Sequence, residues 1–169
     1  MREMNKARFV SVGGMLTTLA VIFQSAPVFL PIVGLAFSPI STMPIALAAY
    51  LNISLGIVVY LSTAFILTII YIQEAIIFVF TTGLLGLGIG TLLYRKGTIA
   101  SIIFSSILLS LGMLLLTYFV GIALFGNITI PARIPLTLFI FFTFSLLYST
   151  IWCLVLKKLI NYLIRMKAI

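Results

Sequence analysis

The chain has 169 residues, 63% of them hydrophobic and 7% charged, with a net charge of +8 and a mean hydropathy of +1.37. So little polar surface excludes a water-soluble domain, and basic residues standing in short clusters between apolar runs read as membrane-flanking anchors, not as a nucleic-acid surface. With no histidine, one cysteine (Cys153) and two acids far apart in the chain (Glu3 and Glu74), disulfides, zinc sites and paired-carboxylate chemistry are excluded, so no enzyme, cofactor or metal is expected.

The first stretch, MREMNKARFVSVGGMLTTLAVIFQSAP, opens basic and turns apolar in the manner of a secretory signal. Pro27 follows Ser25-Ala26 where cleavage is expected, and further spans come after, so a retained helix over about 9–25 is predicted. On it Gly13, Thr17, Ala20 and Gln24 recur at helical spacing, with Gly14 and Thr18 in a parallel stripe beside them. Both stripes suit helix-helix contact, inside the chain or with another protein.

Residues 25–39, SAPVFLPIVGLAFSP, are apolar and proline-rich. They fit a lid over a cavity, with Phe29, Leu30 and Phe37 as its covering side chains, and equally an interfacial re-entrant spacer. All six prolines (Pro27, Pro31, Pro39, Pro44, Pro131 and Pro135) fall in the first or fifth connection or at helix ends, which predicts non-helical backbone on that face.

Further apolar runs cover about 40–51, 53–72, 74–94, 98–125 and 134–160. Residues 44–71 admit one long tilted helix, or a short helix and a full one broken near Asn52 to Gly56, and topology decides between them. Six spans place Arg2, Lys6, Arg8, Arg95, Lys96, Lys157, Lys158, Arg165 and Lys167 on one side and leave Arg133 opposite. Five spans would put Arg95, Lys96 and the basic tail outside, against the positive-inside rule. The expected fold is therefore an all-α integral membrane protein with six transmembrane helices, a short second helix and both termini cytoplasmic, forming a single domain over 1–169.

The segment TTGLLGLGIGTLLYRKG, 81–97, is glycine-rich but lacks the Gly-Lys-Ser/Thr of a phosphate loop. Gly83, Gly86 and Gly90 make one helical stripe, with Gly88 on another face. A close-packing surface ending at a cytoplasmic basic anchor is expected.

FSPISTMPIALAAYLNISLGIVVYLSTAF resembles the part of energy-coupling-factor (ECF) transporter S components where a short second helix, after a proline-rich loop, turns through a glycine into the third. TTGLLGLGIGTLLYRKG is similar to that family's glycine-rich helix with its cytoplasmic basic pair. The resemblance runs over most of 7–97, and beyond that it is one of hydropathy. The N-terminal pattern is also similar to the S-component-like part of the YybS-type membrane proteins.

The resemblance implies a high-affinity binding subunit for a vitamin or similar micronutrient. Such a subunit sits among lipids in a cell membrane, that of a bacterium by the family's habit, and works with a transmembrane coupling protein and ATPases supplied in trans. It implies that Gly13 and Thr17, at the family's small-xxx-small motif, meet the coupling protein. It also implies an outward pocket under the first loop, with Tyr71, Gln73, Glu74, Tyr118, Asn127 and Arg133 as candidates to line it. Glu74 reads as a ligand because ionisable groups at membrane depth are costly, and equally as an anchor at a helix start. Sparse polar lining implies a largely apolar or aromatic small molecule. The competing class is a non-transporting scaffold, MreD-like or YybS-like. A small channel or lipid-handling protein stands third, since no charge ring or polar stripe runs through a helix.

Overall fold

Where no water reaches the backbone, a spanning segment must satisfy its own N–H and C=O groups, which leaves apolar runs of this length the helix. The computed structural model describes residues 5–121 and 134–165, and every regular element in them is helical. In chain order these are α1 (Lys6–Phe29), α2 (Gly34–Phe37), a 3₁₀ turn (Ser38–Ser41), α3 (Thr42–Leu51), α4 (Ile53–Ile70), α5 (Ile72–Phe80), α6 (Thr82–Arg95), α7 (Thr98–Leu115) with a π-helical last turn (Leu116–Val120), and α8 (Ile134–Arg165). They make six segments long and apolar enough to cross a membrane, with α2–α3 acting as one and α5–α6 as another. The chain has the build of a multi-pass membrane protein.

Single residues make the joints. Asn52 is extended (φ −158°, ψ 130°) and its side chain accepts from the Ser54 N–H at 2.8 Å, so one asparagine both ends α3 and caps α4. Tyr71 is extended between α4 and α5, and Thr81 (φ −121°, ψ −91°) breaks α5 from α6. The break divides the fourth span, where the sequence pattern predicts one helix over 74–94. Gly97, with φ +84°, occupies the left-handed region at the turn into α7, beside Arg95 and Lys96. The fold thus has a basic end, with Lys6, Arg8, Arg95, Lys96 and Arg165, and an opposite end with Glu74.

The expectation of a non-helical segment over 25–39 is corrected for 25–29 and 34–39, and the non-helical backbone is confined to a turn at 30–33. α1 runs through Pro27 to Phe29, and residues 34–41 continue as α2 and the 3₁₀ turn. Pro27 gives up the N–H that would bond the carbonyl one turn back, and it stands two residues before the end of α1, where the following chain closes tightly on it. The Gly34 N–H donates to Leu30 C=O at 2.6 Å, and a Cβ on Gly34 would collide with the backbone of Ala26 and Pro27. Phe29, Leu30 and Phe37 are all exposed.

Two apolar clusters share α3. Ile45 and Ala48 pack with Leu16, Ala20, Leu55, Val59, Leu67 and Phe78. Ala46, on another face, packs with Leu85, Ile89, Leu109, Phe141 and Leu156. Helices of this kind, where lipid tails are as apolar as leucine, are held together by close contact and internal polar bonds. Glycine provides the closest approach. A Cβ on Gly86 would lie 2.8 Å from Thr42 O, one on Gly90 2.8 Å from Ala49 Cβ, and one on Gly56 2.6 Å from Ala49 Cα. Gly86 and Gly90 of the α6 stripe thus seat α3, while Gly83 faces Phe78 and Tyr60 and Gly88 faces Ser105 of α7. Gly90→Leu should lower the unfolding temperature in detergent, since overpacking costs about 1–3 kcal/mol or more where backbone is the obstacle. An unchanged unfolding temperature would contradict this packing.

Candidate functional site

One polar node lies inside this apolar bundle. Gln24, near the end of α1, has no exposed surface. Its Nε2 donates to Glu74 Oε2 at 2.9 Å, and its Oε1 accepts from Ser41 Oγ at 2.7 Å and from Thr82 Oγ1 at 2.9 Å. Four separate elements meet on this amide: α1, the 3₁₀ turn, the start of α5 and the start of α6. An ionised carboxylate only accepts, which fixes the amide's NH2 toward Glu74 and its oxygen toward the two hydroxyls.

Local structure explains why the four converge. The continuation of α1 past Pro27 and the tight return at Gly34 bring Ser41 back beside Gln24, 17 residues behind it in sequence. The break at Thr81 opens a new helix start at Thr82, so its hydroxyl points to the interior at Gln24. Thr81 Oγ1 turns back onto Ile77 C=O at 2.6 Å, and Tyr60 Oη donates to Val79 C=O at 3.1 Å, so carbonyls at the end of α5 take side-chain partners.

Glu74 is half-buried, and its other oxygen, Oε1, makes no hydrogen bond among the described residues. The carboxylate is therefore held at one oxygen with the second turned elsewhere. That leaves the second oxygen with capacity to accept from one further donor.

Of the residues that the sequence points to, Tyr71, Gln73 and Glu74 stand together at the α4–α5 joint. Tyr71 and Gln73 are exposed, with Tyr71 Oη donating to Gln73 Oε1 at 3.4 Å, while Glu74 alone reaches the node. Tyr118 is exposed in the π-helical turn at the same end. Asn127 and Arg133 lie outside the described residues. Ser41 and Thr82 carry no sequence signal of a site, while Gln24 is visible as the one strongly polar side chain in the second half of an apolar helix.

A second feature lies on the side of the bundle. A groove of about 360 Å³ between α1 and α4 is lined by Phe9, Val10, Gly13, Gly14, Thr17, Thr18, Val58, Ser62 and Ile66. Gly13 and Thr17 are its buried floor, and a Cβ on Gly13 would stand 3.2 Å from Leu55 Cδ1. Gly14 and Thr18 are its open wall, with nothing within 4 Å of a Cβ on Gly14.

No family model, no curated protein and no solved structure matches this chain.

Proposed function

We propose that the chain is the substrate-binding membrane subunit of an ECF-type uptake transporter, taking a small, largely apolar or aromatic micronutrient from the end that carries Glu74. The observation that carries this is the Gln24 node: four polar groups drawn from four elements, placed where a membrane-crossing helix is broken. Polar groups inside such a bundle are costly and mark functional paths, and discontinuous helices are a recurrent way to build a binding site within the membrane. Glu74 holds the ligand's donor group, Gln24 positions Glu74, and Ser41 and Thr82 fix Gln24. The chain has no nucleotide motif of its own, so energy comes from ATPases in trans through a coupling protein seated in the α1–α4 groove.

On this proposal both termini and the Arg95-Lys96 turn are cytoplasmic in a bacterial plasma membrane, by the positive-inside rule. In a Cys153→Ala background, Tyr71→Cys should react with an impermeant maleimide on intact cells and Lys96→Cys only after permeabilisation. The reverse pattern would invert the topology and put the node on the wrong side for uptake.

A non-transporting scaffold of the MreD or YybS kind is the second possibility, favoured by the glycine-lined packing of α3 on α6. Mass spectrometry of small molecules retained by the detergent-purified protein separates the two. A binding subunit should yield one compound in near-stoichiometric amount, and a scaffold none.

A further inference from the structure

The basic end of α8 carries chemistry that substrate uptake does not use. Lys158, Asn161, Tyr162 and Arg165 fall at i, i+3, i+4 and i+7, on one exposed face of that helix. They line a groove of about 610 Å³ together with Met43 of α3 and with Leu159 and Val155, about one and two turns back along α8 from Tyr162. The groove is apolar along its inner length and cationic at its mouth.

A cavity of about 300 Å³ on the neighbouring side of α8 is lined by Tyr50, Leu93, Gly97, Thr98, Lys157, Ile160 and Asn161. Asn161 belongs to both, and Lys157 is tied back there, its Nζ donating to Thr98 Oγ1 at 3.2 Å. The acids of the whole chain are Glu3, outside the described residues, and Glu74, at the far end of the bundle. Lys158 and Arg165, with Arg95 and Lys96 at the same end, therefore have no carboxylate beside them among the described residues.

We infer that this groove is a binding site for one anionic phospholipid. Its phosphate sits between Lys158 and Arg165, the Asn161 amide and Tyr162 hydroxyl serve the glycerol and headgroup oxygens, and an acyl chain follows Leu159, Val155 and Met43. Charge complementarity favours this occupant over a zwitterionic lipid. The apolar inner length favours it over a free phosphate, and basic pockets between helices at a membrane surface are where acidic headgroups collect.

The test is native mass spectrometry of the intact protein from mixed micelles of phosphatidylglycerol and phosphatidylcholine. The unaltered chain should retain phosphatidylglycerol in preference by about fivefold or more, and Lys158→Gln/Arg165→Gln should bring the ratio to near parity. Lys6→Gln/Arg8→Gln, which removes equal charge away from the groove, should keep the preference. Equal loss in both pairs, or no preference in the unaltered chain, would overturn the site. Inorganic phosphate that displaces the bound lipid as well as added phosphatidylglycerol does would overturn the lipid assignment. A phosphatidylglycerol with a photoreactive acyl chain gives a readout that needs no variant. It should label Met43 or the Val155–Leu159 stretch of the unaltered chain, and labelling spread evenly over α1 and α4 would count against the groove.

Discussion

Gln24→Leu should be among the most damaging single substitutions in the chain. It removes three hydrogen bonds at once and leaves Ser41, Thr82 and a half-buried carboxylate without their partner. Interhelical hydrogen bonds in membranes average about 0.6 and reach about 1.7 kcal/mol, so three of them amount to about 2–5 kcal/mol. Leucine nearly matches glutamine in volume, so packing alone predicts a small effect. Unfolding in detergent decides: a large drop in midpoint supports the node as a clasp between four elements, and an unchanged midpoint would show that the amide is dispensable. Glu74→Gln is the companion. Its amide oxygen still accepts from Gln24, so stability should change little while the charge is lost.

The second large effect lies in the α1–α4 groove, where two adjacent glycines should answer differently to the same substitution. Leucine at Gly13 must enter the space of Leu55, which has no exposed surface, so Gly13→Leu should destabilise the isolated chain by about 1–3 kcal/mol. Leucine at Gly14 meets open space, so Gly14→Leu should leave the unfolding temperature unchanged or slightly higher, given glycine's poor helix propensity. If a coupling protein sits in the groove, Gly14→Leu should nonetheless abolish its co-purification. Retained co-purification in a stable Gly14→Leu chain would move the docking surface elsewhere.

Much of the architecture is legible in the sequence because hydropathy, charge and glycine spacing act locally. Six apolar segments, the joint at Asn52, and the close packing at Gly86 and Gly90 all follow from residue type and period. The helical course of 25–29 and 34–41, either side of a turn at 30–33, does not. Prolines bias the local backbone against helix, and what overrides them is a tertiary fit of Gly34 onto Ala26 and Pro27 that no local pattern encodes. The break at Thr81 is hidden for a similar reason, since Phe80, Thr81 and Thr82 carry no breaker residue and the surrounding period suits a continuous helix. Of the candidate site, Glu74 is legible as an acid in an apolar run. Its partner Gln24 is 50 residues away, and Ser41 and Thr82 are ordinary hydroxyls until the fold brings them to one amide.

Titration calorimetry of the retained compound against the ligand-stripped protein and its Glu74→Gln variant addresses the central claim, that the node holds substrate through the Glu74 carboxylate. A hydrogen bond to a charged group contributes about 1.5–3 kcal/mol, so Glu74→Gln should weaken binding by about 10- to 150-fold with the unfolding midpoint preserved. Equal dissociation constants for the two proteins would contradict the claim and leave Glu74 as a structural partner of Gln24.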